Sequence, residues 1–354
     1  MSAVQGHDIQ PAAPGWGRPA FWRGLFLTWA ITLGFAAILN VIVDPFGIYG
    51  TGIFPRAQVN NYEEKIKLFD QFQPPPRALI LGSSRVMSLD PQTVTRLTGK
   101  RCFNFSVPGA KTETYYAILK LALEHGAPID TLIIGAEPEA FHPTLPIEPE
   151  ARFVPEISKY FIHDPHGQAT FPEKLSLILT LDQVSESISS LTRLFKSQAG
   201  QSKLEYRPDG FSVQIEREAE IAAGTFDLNA RIDSRIRKYP ERSFRLSEFK
   251  GLSERRKQYW TDLLDLCRER GIKLYVFMPP AHPRLVQLLD ELGAGAVFKE
   301  VADYLSSTVG GVGGIFRDYT RIDSFGGDPN LFYDEIHVRP ANGDRLLEKL
   351  LTQQ

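Results

Sequence analysis

The sequence predicts an α/β fold, with a parallel β-sheet covered by helices on both faces, preceded by one membrane-spanning helix. Three observations predict it. Residues 24–43, GLFLTWAITLGFAAILNVIV, hold no charge. Downstream, short apolar runs alternate with stretches of helical periodicity, the pattern of parallel strands joined by crossover helices. The 354 residues are 43% hydrophobic and 23% charged, enough for a large core but too polar for a polytopic membrane protein.

The elements follow in chain order. Residues 1–20, rich in Pro, Ala and Gly, read as a disordered cytoplasmic tail, and 21–43 as the anchor. Twenty residues at about 1.5 Å each reach roughly 30 Å, the hydrocarbon thickness of a bilayer. Arg18 and Arg23 precede the run and Asp44-Pro45 end it, so the positive-inside rule puts the tail in the cytoplasm and the rest outside. A cleaved signal peptide and a buried helix are the competing readings. The apolar run continues past the small pair Gly34 and Ala36 to Val43, which favours a retained anchor.

Residues 44–76 form a connector, with a short helix at 62–71 and Pro74-Pro75-Pro76 as a stiff spacer. Strands are expected at 78–82, 101–105, 130–135, 273–278 and 315–319. Helices are expected at 112–125, 253–270 and 341–351. About 142–250 breaks this rhythm and reads as an inserted subdomain with a helix at 173–196. The glycines at 310–314 lack the Lys-Ser/Thr of a phosphate loop and read as a flexible approach to the last strand.

Composition narrows the function. With 40 basic against 42 acidic residues there is no whole-domain basic surface, so no nucleic-acid partner is expected. Cys102 and Cys267 are too few for a disulfide framework or a four-cysteine zinc site and are expected to lie apart and free. His163-Asp-Pro-His166 has loose metal-ligand spacing without a third ligand nearby, so no metal is expected.

Two motifs carry chemistry. The first strand ends in Gly82-Ser83-Ser84-Arg85, at the sheet edge where parallel α/β folds place ligands. Ser84 is expected at a helix start beside free backbone N–H groups, and an ordinary capping serine is the plain alternative. Near the other end, Asp334 stands three residues before His337. An Asp so placed orients an imidazole through one nitrogen and leaves the other free to take a proton from a serine.

These residues resemble the SGNH/GDSL hydrolase superfamily. Gly82-Ser83-Ser84 is similar to its first block, Asn104-Phe-Ser-Val-Pro-Gly109 to its second, and Asp334 with His337 to its last. The resemblance covers residues 75–140 and 250–354. It implies a flavodoxin-like three-layer sandwich and no cofactor. It also implies Ser84 as nucleophile, His337 as general base and Asp334 as orienter, with the N–H groups of Ser84 and Gly109 as oxyanion donors. The third block departs from the family. Its Gly-x-Asn is replaced by Gly135-Ala136-Glu137, so Asn104 or Lys111 becomes the candidate further donor, and an ionised Glu137 would repel an oxyanion. The layout is also similar to membrane-anchored SGNH-like proteins of bacterial cell-surface polymer O-acylation. That implies an inner-membrane protein facing the periplasm or exterior, a carbohydrate polymer or acyl donor as substrate, and a membrane acyltransferase as partner.

Arg85, Glu137 and His282 are candidate substrate contacts. Arg85 and His282 have plainer readings, as a surface residue and a loop-packing histidine. The basic cluster around Arg231 and Arg235 reads as a solvated face. The expected activity is that of a serine esterase or O-acyltransferase on an acylated polysaccharide. A silent glycan-binding or scaffold domain of a polymer-export complex is the alternative, and a nucleotide-binding domain a third reading.

Overall fold

The computed structural model describes residues 19–51, 53–54, 60–196 and 205–352. Most of the tail expected at 1–20 lies outside them. The chain divides into two compact units.

The larger unit is built on strands. In chain order these are β1 (Ala78–Gly82), β2 (Cys102–Asn104), β3 (Thr131–Gly135), the short pair β4 (Glu205–Tyr206) and β5 (Ser212–Val213), β6 (Lys273–Met278) and β7 (Ile315–Asp318). Five of them form one parallel sheet in the order β2-β1-β3-β6-β7, and β4 and β5 pair antiparallel. The predicted α/β class and all five predicted sheet strands are present.

β1, β2 and β3 are buried throughout and β6 from Leu274 on, as covered parallel sheets require, whereas the edge strand β7 is only partly covered. Leu79, Leu81, Leu132, Ile134, Leu274 and Val276 pack on one side with residues of helices Thr112–Glu124 and Glu254–Arg270. Ala78, Ile80, Ile133, Tyr275 and Phe277 pack on the other with residues of helices Pro91–Thr98 and Pro340–Thr352. Period-two alternation divides each strand between the two cores. A buried ion pair ties the first helix layer together: Arg256 meets Glu113 at 3.2 Å and donates to the Leu145 carbonyl at 2.6 Å.

Helix ends follow local chemistry. Asp90 caps Pro91–Thr98 by accepting from the Gln92 N–H, and Gly99 closes it in the left-handed region. Ser253 caps Glu254–Arg270, and Gly271 ends it as expected. Pro283–Glu291 and Gly295–Gly311 are additional helices. The second absorbs Gly310 and Gly311 into its last turn, so the flexible approach expected at 310–314 shrinks to a few residues after Gly311.

The order reverses at β1. From β1 the chain steps outward to β2, then crosses back to β3 on β1's other side. Such a switch point opens a crevice at the carboxyl ends of the two inner strands. Gly82 pairs with Gly135, so the ends of β1 and β3 are level. Ser84 and Glu137 each follow two residues later.

The second unit holds helix Pro19–Val43 with helices Phe171–Leu177 and Leu181–Lys196. Pro19–Val43 is long and apolar enough to cross a membrane, with a mean hydropathy of 2.1 in its most apolar window. The single helix expected at 173–196 is broken, because the Thr180 hydroxyl accepts from the Gln183 N–H and starts a new helix. Of the stretch read as an insertion, residues 171–196 belong to this unit, whereas 142–170 and 205–250 belong to the sheet unit.

Candidate active site

Gly82 ends β1 with φ +155°, and a Cβ there would collide with the Val86 side chain and approach the Gly135 carbonyl to 2.8 Å. Only glycine fits, and the chain swings into a turn over residues 83–89. The expectation that Ser84 opens a helix is corrected. The helix begins at Pro91, because Asp90 and Pro91 supply the cap and first-turn residue, and the turn before it is held by other bonds.

Those bonds come from Asn104, which corrects a second expectation. Its fully buried amide donates to the carbonyls of Val86 at 2.9 Å and Leu89 at 3.0 Å, and its oxygen accepts from the Ser106 N–H. With these groups engaged, Asn104 shapes the serine turn and has no donor left for an oxyanion. Lys111 is likewise committed, to the Gly109 carbonyl and the Glu148 carboxylate, both at 2.8 Å.

The two distant motifs meet. His337 Nε2 lies 2.9 Å from Ser84 Oγ, and His337 Nδ1 lies 2.8 Å from Asp334 Oδ1. With Nδ1–H donating to Asp334, Nε2 is free to accept the serine proton. The Asp-x-x-His loop is closed by a bridge between Phe332 and Val338, and the Ser88 hydroxyl donates to the Val338 carbonyl at 3.0 Å, joining the loop to the serine turn.

Asp334 is completely buried and densely supported. Its Oδ1 accepts from the N–H groups of Ile336 and His337, and its Oδ2 meets Arg217 at 3.0 Å and Arg235 at 3.1 Å. Burial pushes this carboxyl up, but the charge and hydrogen bond of His337, with Arg217 behind them, hold it well below the usual carboxylate range. Sequence reasoning missed Arg217 and placed Arg235 on a solvated face. No local signal links either arginine to a residue about a hundred positions away.

Ser84, Arg85, Gly109, Glu137, Glu139 and Tyr239 are among the residues lining a cavity of about 190 Å³. Gly109 has φ +65°. Among the described residues, the backbone N–H groups of Ser84 and Gly109 donate to no backbone carbonyl. Arg85 is buried, not on the surface, and donates to the carbonyls of Pro279 and Pro280 beyond β6 at 2.9 and 3.0 Å. Glu137 is also buried and accepts from Ser83, while its Oε2 has no partner among the described residues. Burial, opposed by Arg85 and reinforced by Glu139, pushes its carboxyl up to about 7.

His282 is not among the residues lining this cavity. Its Nδ1 accepts from the Arg284 N–H as the cap of helix Pro283–Glu291, its ring packs edge-on against Phe332, and its N–H donates to the Glu335 carbonyl. It braces the Asp-x-x-His loop, which corrects its reading as a substrate contact. A larger cavity of about 360 Å³, lined by Val286, Phe298 and Arg321 among others, contains no member of the serine–histidine–aspartate set. Among the described residues, no group of three or more His, Cys, Asp or Glu is placed to hold a metal ion. Searches against known protein families and against curated proteins return no match for this chain.

Proposed function

We propose that the chain is a serine esterase or O-acyltransferase of the SGNH type, acting on an acylated, O-acetylated cell-surface polysaccharide. In this reading Pro19–Val43 anchors it in the bacterial inner membrane, its larger unit faces the periplasm, and a membrane acyltransferase is its partner. The observation that carries the proposal is the continuous relay from Ser84 through His337 to Asp334 beside a cavity that Ser84 lines.

The chemistry follows from the geometry. Ser84 Oγ attacks the acyl carbonyl while His337 Nε2 takes its proton. The tetrahedral oxyanion accepts from the N–H groups of Ser84 and Gly109. His337 returns the proton to the departing sugar oxygen, leaving an acyl-serine. Water then completes hydrolysis, or a second hydroxyl completes transfer, with His337 again as base. Glu137 occupies the place of the family's third donor. With its carboxyl raised to about 7, part of the population carries a proton at neutral pH and donates to the oxyanion as the missing Asn would.

A fluorophosphonate probe on the full-length protein tests this. Labelling that disappears in both Ser84→Ala and His337→Ala supports the enzyme. Absence of labelling and of aryl-acetate turnover in the wild type sinks it. That second outcome favours the silent glycan-binding or scaffold reading, which the ionised form of Glu137 motivates because it repels an oxyanion.

A further inference from the structure

Helix Leu181–Lys196 packs against Pro19–Val43. Its buried positions include the polar Gln183, Ser187 and Ser190. The Ser187 hydroxyl donates to Asn40 Oδ1 at 2.7 Å, and Asn40 Nδ2 donates to the Ile178 carbonyl at 2.7 Å. On Pro19–Val43 the residues that lose exposure near Asn40 include the small Ala36 and Ala37 and the larger Leu39 and Val41. Outward stand apolar side chains: Phe171 is 77% exposed, Leu175 54%, Leu179 49% and Ile188 52%.

A helix facing water hides its apolar stripe and shows its polar one. Here Gln183, Ser187 and Ser190 are buried, and Ser187 bonds across to Asn40 of the neighbouring helix. Small residues and Ser/Asn hydrogen bonds at the seam, with apolar side chains outside, are the arrangement of helices that meet in lipid. On the membrane-crossing candidate, Phe35, Ile38 and Ile42 are exposed as well. The half-buried charges Glu173, Lys174 and Glu186 set the depth, because they suit the headgroup region and not the hydrocarbon midplane.

We propose that Phe171–Leu177 and Leu181–Lys196 lie in the membrane–water interface beside Pro19–Val43, with Phe171, Leu175, Leu179 and Ile188 among the lipid acyl chains. The inference rests on Pro19–Val43 entering the bilayer and is independent of the serine chemistry.

The test places single thiols in the full-length protein in lipid nanodiscs: Phe171→Cys, Leu175→Cys, Leu179→Cys and Ile188→Cys. Phe35→Cys is the lipid-facing reference and Glu291→Cys the water-facing one. Cys102 and Cys267 are buried, so a fluorescent maleimide reaches the introduced thiol. Acyl-chain spin-labelled lipids are expected to quench the four positions comparably to Phe35→Cys, and aqueous iodide is expected to leave them bright. If Phe35→Cys is quenched by lipid but the four behave like Glu291→Cys, the inference is overturned and the anchor stands. If the four resist both quenchers, a protein surface covers them and the lipid assignment is overturned. If Phe35→Cys itself is not quenched by lipid, anchor and inference fall together.

Discussion

The guanidinium of Arg217 stands 3.0 Å from the carboxylate of Asp334, a side chain with no exposed surface. Arg235 meets the same oxygen at 3.1 Å. Two cations and an imidazole therefore converge on one buried charge, which tolerates burial because it is multiply paired. Arg217→Ala is expected to lower kcat on an aryl acetate by about tenfold, equivalent to about 1.4 kcal/mol in the barrier. Arg217→Lys should recover most of that loss. Unchanged kcat in Arg217→Ala would show that Arg235 suffices to hold Asp334.

Glu137 gives the site a pH signature. Its folded-state carboxyl is raised to about 7, above the unfolded value of about 4.3. If the protonated form is the oxyanion donor, kcat/KM falls as pH rises through 7, and Glu137→Gln abolishes that fall while keeping activity. The stability sign is fixed by the same shift. Between about pH 4.3 and 7 the folded state binds more protons, so stability declines as pH rises. Glu137→Gln should therefore gain melting temperature over the wild type at pH 8 and lose that advantage at pH 5. An alkaline fall that persists in Glu137→Gln assigns it to another group.

The Arg256–Glu113 pair makes a stability prediction away from the site. Both side chains are fully buried, and Arg256 also serves the carbonyls of His142 and Leu145. Glu113→Ala leaves an unpaired buried cation and is expected to cost about 3–5 kcal/mol in urea unfolding of the detergent-solubilised protein. Glu113→Leu combined with Arg256→Met should lose less than Glu113→Ala alone. Equal losses would place the energy in the carbonyl contacts.

Gly109 links backbone conformation to activity. An alanine there must hold φ near +65°, at about 1–2 kcal/mol, and its Cβ meets the Glu148 side chain. Gly109→Ala is expected to stay folded by circular dichroism yet react more slowly with a fluorophosphonate, because the loop that presents the N–H moves. Wild-type labelling rates would remove Gly109 from the oxyanion site.

The sequence by itself determined the local and periodic features of this protein. The uncharged run at 24–43, the apolar runs that became the five sheet strands, Gly82 before Ser84 and the Asp334–His337 spacing were all legible, because each is encoded by near neighbours. A strand is specified by its own apolar residues, a cap by one side chain and the next turn, and the Asp–His bond by a three-residue separation. Only the tertiary structure decided what the distant residues do. Asn104, a plausible oxyanion donor by position, is spent on the serine turn, and His282 is spent on a helix cap. Arg217 and Arg235, unremarkable in the chain, converge on Asp334. Glu137, a repelling charge on paper, has its carboxyl raised by burial beside Glu139, against the pull of Arg85. Desolvation and charge pairing depend on which surfaces the whole fold brings together, and no window of sequence contains that information.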